Sequence, residues 1–168
     1  MAVKISHFTR IAILGSLLYA AQASLAFLPN IEIVTLLIVI FTKNLGKEGI
    51  YACFVYVGIN ALIAGFGLWW LTYLVVWPLF SILVYKIRKI NNWFIWALIN
   101  GMFGLCFGAV FAVPYIFVSV SYAFAYWTSG IPWDIVHCAG NFFLAILIGK
   151  ILDNTMKRII KQLNIKTM

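Results

Sequence analysis

Few side chains in this sequence could do chemistry, and three of them fall together. Asp134, His137 and Asn141 stand at i, i+3 and i+7, a spacing that sets them on one face of a helix. A carboxylate and an imidazole three residues apart have the makings of a general acid and base. The same pair, with an amide one turn further on, could instead hold a small ligand. A purely local role is also open: Asp134 in a first helical turn suits the positive end of the helix dipole, and His137 could simply pair with it. Glu32 is the other carboxylate outside the basic clusters, and at the start of a helix it too suits the dipole. Asn60 and Asn100 are single amides in apolar surroundings, fit either for interhelical hydrogen bonds or for ligand contacts.

Catalysis lacks further support. No Ser or Cys stands in nucleophilic relation to the polar trio, and no HExxH, GxSxG or clustered Cys/His pattern occurs. We assign no catalytic and no metal-binding residue. GxxxxGK[ST] is missing as well, so the chain is expected to have no ATPase of its own and no cofactor. Cys53, Cys106 and Cys138 are far apart in apolar stretches and read as small hydrophobes.

The elements that position these groups must lie in lipid. Of 168 residues, 65% are hydrophobic, 17% aromatic and 10% charged, and the mean hydropathy is +1.05. A soluble domain is about 45–50% apolar and about 25% charged. With about 20 apolar residues per crossing, the chain has room for five or six spans and little besides. We read an all-α integral membrane protein with six transmembrane helices at about 11–28, 31–42, 49–64, 70–85, 93–113 and 131–152. Pro132 is expected near the first turn of the last helix, where its missing N–H costs nothing. The apolar stretch Tyr115–Ser129 is long for a loop and is expected to be a short helix or re-entrant segment. Residues 153–168 would form a basic tail.

Charge placement sets the direction. Twelve Lys and Arg oppose four Asp and Glu, a balance that in a soluble protein would point to nucleic acid. Here the basic residues fall in four clusters: Lys4 and Arg10, Lys43 and Lys47, Lys86 to Lys89, and Lys150 to Lys166. None lies in 11–42, 48–85 or 90–149. Six crossings bring all four clusters, and both termini, to the cytoplasmic face; five or seven would scatter them. The three outer connections then hold Glu32, Asp134 and the tryptophans Trp69, Trp70, Trp127 and Trp133, which also suit an aromatic belt. A competing reading makes Lys4 to Ala23 a signal peptide, but the apolar run continues to Leu28.

The first helix carries Ala12, Ser16, Ala20 and Ser24 in one column. Small residues so spaced let another helix approach closely in lipid, within this chain or in a partner. Gly101, Gly104 and Gly108 form a similar stripe that is read as packing internally.

The chain resembles the substrate-binding S components of energy-coupling factor (ECF) vitamin transporters. The likeness covers nearly the whole sequence. It rests on Arg10-Ile-Ala-Ile-Leu-Gly15 before the small-residue helix, Leu28-Pro-Asn-Ile-Glu32, Gly65-Phe-Gly-Leu-Trp69, and Val76-Trp-Pro78. Its most specific piece is Trp127-Thr-Ser-Gly-Ile-Pro-Trp-Asp134, continuing through His137 to Gly140-Asn141. The resemblance implies a multi-pass protein of a prokaryotic plasma membrane that binds a vitamin or related micronutrient from outside. It also implies partners, a transmembrane coupling subunit and two ATPases that use the ATP. The family's docking face maps onto the Ala12, Ser16, Ala20 and Ser24 column.

The candidate ligand groups are Glu32, Asn60, Asp134, His137 and Asn141, with Trp69, Trp127 and Trp133 as apolar walls. No basic residue accompanies them, so a neutral or cationic ligand is favoured, cobalamin-type or nucleobase-like among family substrates. Two other classes compete: a membrane scaffold without ligand, and an intramembrane enzyme using Asp134 and His137.

Overall fold

A computed structural model describes residues 6–165. Over that range the chain is helical: α1 His7–Ser24, α2 Val34–Leu45, α3 Lys47–Ala64, α4 Leu68–Ile87, α5 Trp93–Ala112, a 3₁₀ turn Val113–Phe117, and α6 Val120–Gln162. Lys4 and Lys166, members of the terminal basic clusters, lie outside the described residues. Among the described residues, length and apolarity qualify four segments to cross a membrane: α3, α4, α5 with its 3₁₀ turn, and α6; α2 is a shorter apolar helix. The long apolar helices mark a multi-pass membrane protein. α1 is diluted by His7, Arg10 and Gln22.

Most boundaries shift from the sequence expectation by up to a turn, and three of the shifts have a local cause. α1 begins a turn earlier than residue 11, because the Ser6 hydroxyl accepts the Thr9 N–H at 3.2 Å. It stops at Ser24 rather than 28, one turn short of Pro29, which restricts Leu28. α2 begins at Val34 rather than 31, because the Glu32 carboxylate accepts the Thr35 N–H at 2.9 Å from outside the helix.

The largest correction concerns α6. It runs for 43 residues, from Val120 rather than 131, with Pro132 in its interior. The separate element expected in Tyr115–Ser129 is instead the 3₁₀ turn followed by the first turns of α6. Its N-terminus is capped by the Ser119 hydroxyl. Near the proline, Thr128 donates to the Phe124 carbonyl and Ser129 to the Tyr126 carbonyl, each at 2.9 Å. These bonds lie in the turn before the Thr128 carbonyl, the one that Pro132 leaves without its helical N–H. The helix also continues past 152, so much of the expected tail is its last turns.

α2 occupies the centre, in contact with α1, α3, α4, α5 and α6, and most of its side chains are buried. Around it Tyr56, Trp77 and Trp96 are the largest fully buried residues. α5 and α6 lie against each other as an antiparallel hairpin, and the glycine stripe packs internally as read. A Cβ on Gly104 would stand 2.8 Å from the His137 backbone carbonyl. Of the cysteines only Cys53 is buried; Cys106 is exposed and Cys138 half-buried, since an apolar side chain in lipid need not be inside.

One end of the bundle gathers the charges. Arg10 Nε donates to Glu48 at 2.9 Å, Lys43 Nζ donates to the Ile90 carbonyl at 2.9 Å, and Asn44 Nδ2 donates to Asp153 at 2.7 Å. These contacts join the start of α1, the α2–α3 turn, the α4–α5 connection and the last third of α6. The described members of the four basic clusters thus share one end. Asp153 also accepts from Lys157 at 2.6 Å.

Candidate functional site

The other end of the bundle is hollow. The connection 25–33 between α1 and α2 folds over a cavity of about 240 Å³. Its walls are Gln22 from α1, Tyr56 from α3, Tyr73 and Trp77 from α4, Phe107 from α5 and His137 from α6, with Glu32 supplied by the connection itself. A second cavity of about 410 Å³ adjoins it, sharing Pro29, Asn30 and Phe107. Gly108, Phe111, Tyr126, Ser129, Gly130, Trp133 and Asp134 complete that lining. Asn30 turns the connection with a positive φ of 57°, a conformation that Asn tolerates better than most residues.

The polar groups of the first cavity form a connected set. His137 Nε2 lies 3.2 Å from Glu32 Oε1. Thr35 binds Glu32 through both its N–H and its hydroxyl, and Asn141 Nδ2 donates to the Thr35 hydroxyl at 3.4 Å. Burial works against the charge on Glu32, yet the hydrogen bond and charge of His137 and the two bonds from Thr35 hold its carboxyl below the ordinary value. His137 therefore pairs with Glu32, not with Asp134 as its i+3 spacing allowed.

Asp134 lies at mid-helix, so the helix-dipole reading does not apply to it. Its Oδ1 accepts the Gly108 N–H at 2.9 Å. Its carboxylate occupies the space that a side chain on Gly108 would fill.

Aromatic rings make up the remaining wall. Tyr56 and Tyr73 stack with centroids 6.1 Å apart, and Trp77 meets both edge-on at 5.7 and 5.6 Å. Phe107 lies 4.9 Å from the His137 ring and stacks on Phe111 at 4.3 Å. Gln22 Nε2 reaches the Tyr73 hydroxyl at 3.4 Å.

Several buried polar atoms here have no partner within the protein. They are Gln22 Oε1, Trp77 Nε1 and His137 Nδ1, on residues lining the first cavity, and Asp134 Oδ2, on a residue lining the second. An unpartnered buried donor or acceptor costs about 1–3 kcal/mol. Three such residues around one cavity, mixing an N–H donor with an amide acceptor, are what a small polar ligand would satisfy.

Of the residues singled out in the sequence, Glu32, His137 and Asn141 meet in one cluster, while Asp134 and Trp133 line the adjoining cavity. Three do not join them. Asn60 is buried but donates to the Tyr56 carbonyl of its own helix at 3.0 Å, which satisfies the amide locally. Trp69 packs edge-on against Tyr73 at 5.3 Å, behind the wall. Trp127 lies with Phe124 in a separate apolar cleft between α5 and α6.

The residues that spacing overlooked are Gln22, Thr35, Tyr56, Tyr73, Trp77 and Phe107. Tyr73 and Trp77 share a helix face at i and i+4, but in an apolar chain that pattern reads as core. On α1, Ala12, Ser16, Ala20 and Ser24 are all exposed, while Leu14, Gly15 and Leu18 are buried.

Comparison with protein-family models, with curated proteins and with solved structures gives no match.

Proposed function

We propose that this protein is the substrate-binding S component of an ECF-type transporter. In this reading six helices cross a prokaryotic plasma membrane, α1 and the short α2 included, with the basic end and both termini in the cytoplasm. The hollow end faces outward and receives a vitamin-like micronutrient. A transmembrane coupling subunit docks on the Ala12, Ser16, Ala20 and Ser24 column, and two ATPases supply the energy. The chain itself is a transport subunit, not an enzyme.

The observation that carries this reading is the cavity beneath the 25–33 connection, with unpartnered atoms on Gln22, Trp77 and His137. It lies at the end opposite the basic clusters, where the positive-inside rule sets the outer face. The exposed small-residue column supports a docking partner, because nothing among the described residues covers it. Cavities of about 240 and 410 Å³ match a ligand of nucleobase or drug-like size, not the far larger corrin ring of a cobalamin.

The test is recovery of the energising module. Tagged protein, co-expressed with an ECF coupling subunit and its ATPases, is expected to retain all three in detergent. Ala20→Trp is expected to lose them while remaining folded. A folded protein that recovers none of them sinks the reading and leaves a scaffold role. Recovery unaffected by Ala20→Trp keeps the function and moves the docking face elsewhere.

A further inference from the structure

The second cavity has chemistry of its own. Asp134 is 6% exposed, with one oxygen held by the Gly108 N–H at 2.9 Å and the other buried without a partner. Around it stand the rings of Phe107, Phe111, Tyr126 and Trp133. No Lys or Arg lines this cavity or its neighbour. His137, the nearest imidazole along α6, is bonded to Glu32 instead.

We propose that the Asp134 chamber holds the positively charged end of the ligand, an organic ammonium or amidinium group, while the body of the ligand extends beneath Pro29 and Asn30 into the first cavity. This deepens the transport reading and rests on it for the word ligand; the chamber's preference for cations rests on its own geometry. A buried carboxylate oxygen without a donor is costly, and a cationic N–H donor offsets that cost through a charge-assisted hydrogen bond. Aromatic faces around the carboxylate attract the same cation. An anion would meet the Asp134 carboxylate with no Lys or Arg in the lining of either cavity. A neutral amide could donate to the free oxygen but would gain neither the charge pairing nor the cation–π attraction.

The experiment uses three flat probes of one shape on the purified full-length chain in nanodiscs at pH 7: benzamidinium, neutral benzamide and anionic benzoate. Binding is followed by calorimetry. Benzamidinium is expected to bind at least tenfold more tightly than benzamide, with benzoate weakest. Asp134→Asn keeps an oxygen for the Gly108 N–H and is expected to weaken benzamidinium at least tenfold while changing benzamide less than twofold. Trp133→Leu, at the half-exposed rim where folding is least at risk, is expected to weaken benzamidinium several-fold more than benzamide.

Equal binding of benzamide and benzamidinium, binding of neither, or indifference to Asp134→Asn overturns the proposal. Failure of the transport reading has a separate signature. Cation preference with no recovery of the coupling subunit would leave the chamber intact and remove the transporter; recovery without cation preference would do the reverse.

Discussion

His137 and Glu32 are 105 residues apart in sequence, and His137 Nε2 lies 3.2 Å from Glu32 Oε1. The contact joins the connection before α2 to the middle of α6, closing one wall of the first cavity. Thr35 holds the carboxylate from the other side through two hydrogen bonds. Glu32 therefore has a structural task of its own. Glu32→Ala removes the acceptor for Thr35 and His137 together and is expected to cost about 2–4 kcal/mol, summing three lost bonds at about 1 kcal/mol each. Thermal unfolding in detergent measures it, and a loss below about 0.5 kcal/mol would contradict the pairing.

The same pair sets a pH dependence. The Glu32 carboxyl is held below its ordinary value of 4.5, so its contribution to stability is fully present above that pH. It is lost as the pH falls through the lower value the carboxyl has in the folded protein. Glu32→Gln lacks this titration. The stability difference between wild type and Glu32→Gln is expected to shrink as the pH falls below about 4.5. A difference that grows between about pH 4.5 and 3 would refute the assignment.

Gly104 and Gly58 should respond oppositely to alanine. A Cβ at Gly104 would stand 2.8 Å from the His137 backbone carbonyl, whereas at Gly58 nothing lies within 4 Å. Gly104→Ala is expected to destabilise by about 1–3 kcal/mol through forced separation of α5 and α6, and to weaken ligand binding because His137 moves. Gly58→Ala is expected to stabilise by about 0.5–1 kcal/mol through helix propensity alone. Unfolding midpoints of both variants, measured side by side, decide it.

At the basic end, Glu48 is fully buried and bonded to Arg10 and His7. Breaking a buried pair by removing one partner leaves the other charge uncompensated. Glu48→Ala is expected to cost about 3–5 kcal/mol, against about 1 kcal/mol or less for Lys157→Ala, whose ammonium is half-exposed and whose buried partner Asp153 keeps its bond from Asn44. Similar losses in the two variants would show that the Arg10–Glu48 contact is no stronger than a surface pair.

Much of the architecture was legible because lipid makes composition a strong constraint. The helices at 49–64, 70–85 and 93–113 needed only small adjustments at their ends. Their glycine and proline boundaries are backbone effects that act locally. α6 differs from its expected start because Pro132 and Gly130 are local stop signals, whereas the helix is continued by packing along α5. The acidic and imidazole members of the site were legible, since a polar group in an apolar run demands a reason. Tyr56, Tyr73 and Trp77 were not, because an aromatic ring facing a cavity and one facing a core have the same spacing. The partner of His137 was equally hidden: Glu32 comes from a loop, and no helical periodicity reaches across 105 residues.

One consequence follows from the unbroken length of α6. At 1.5 Å per residue its 43 residues make a rod of roughly 65 Å, about twice the hydrocarbon thickness. Asp134, His137 and Asn141 ride on the same rod as Asp153, which is tied to Asn44 at the far end. A tilt of roughly 5° about the midpoint carries each tip through roughly 3 Å but His137, four residues from that midpoint, through only about 0.5 Å. The helix is thus a lever whose fulcrum lies beside the His137–Glu32 contact, so that leverage applied at the charged tip turns the polar face in place and leaves the contact made.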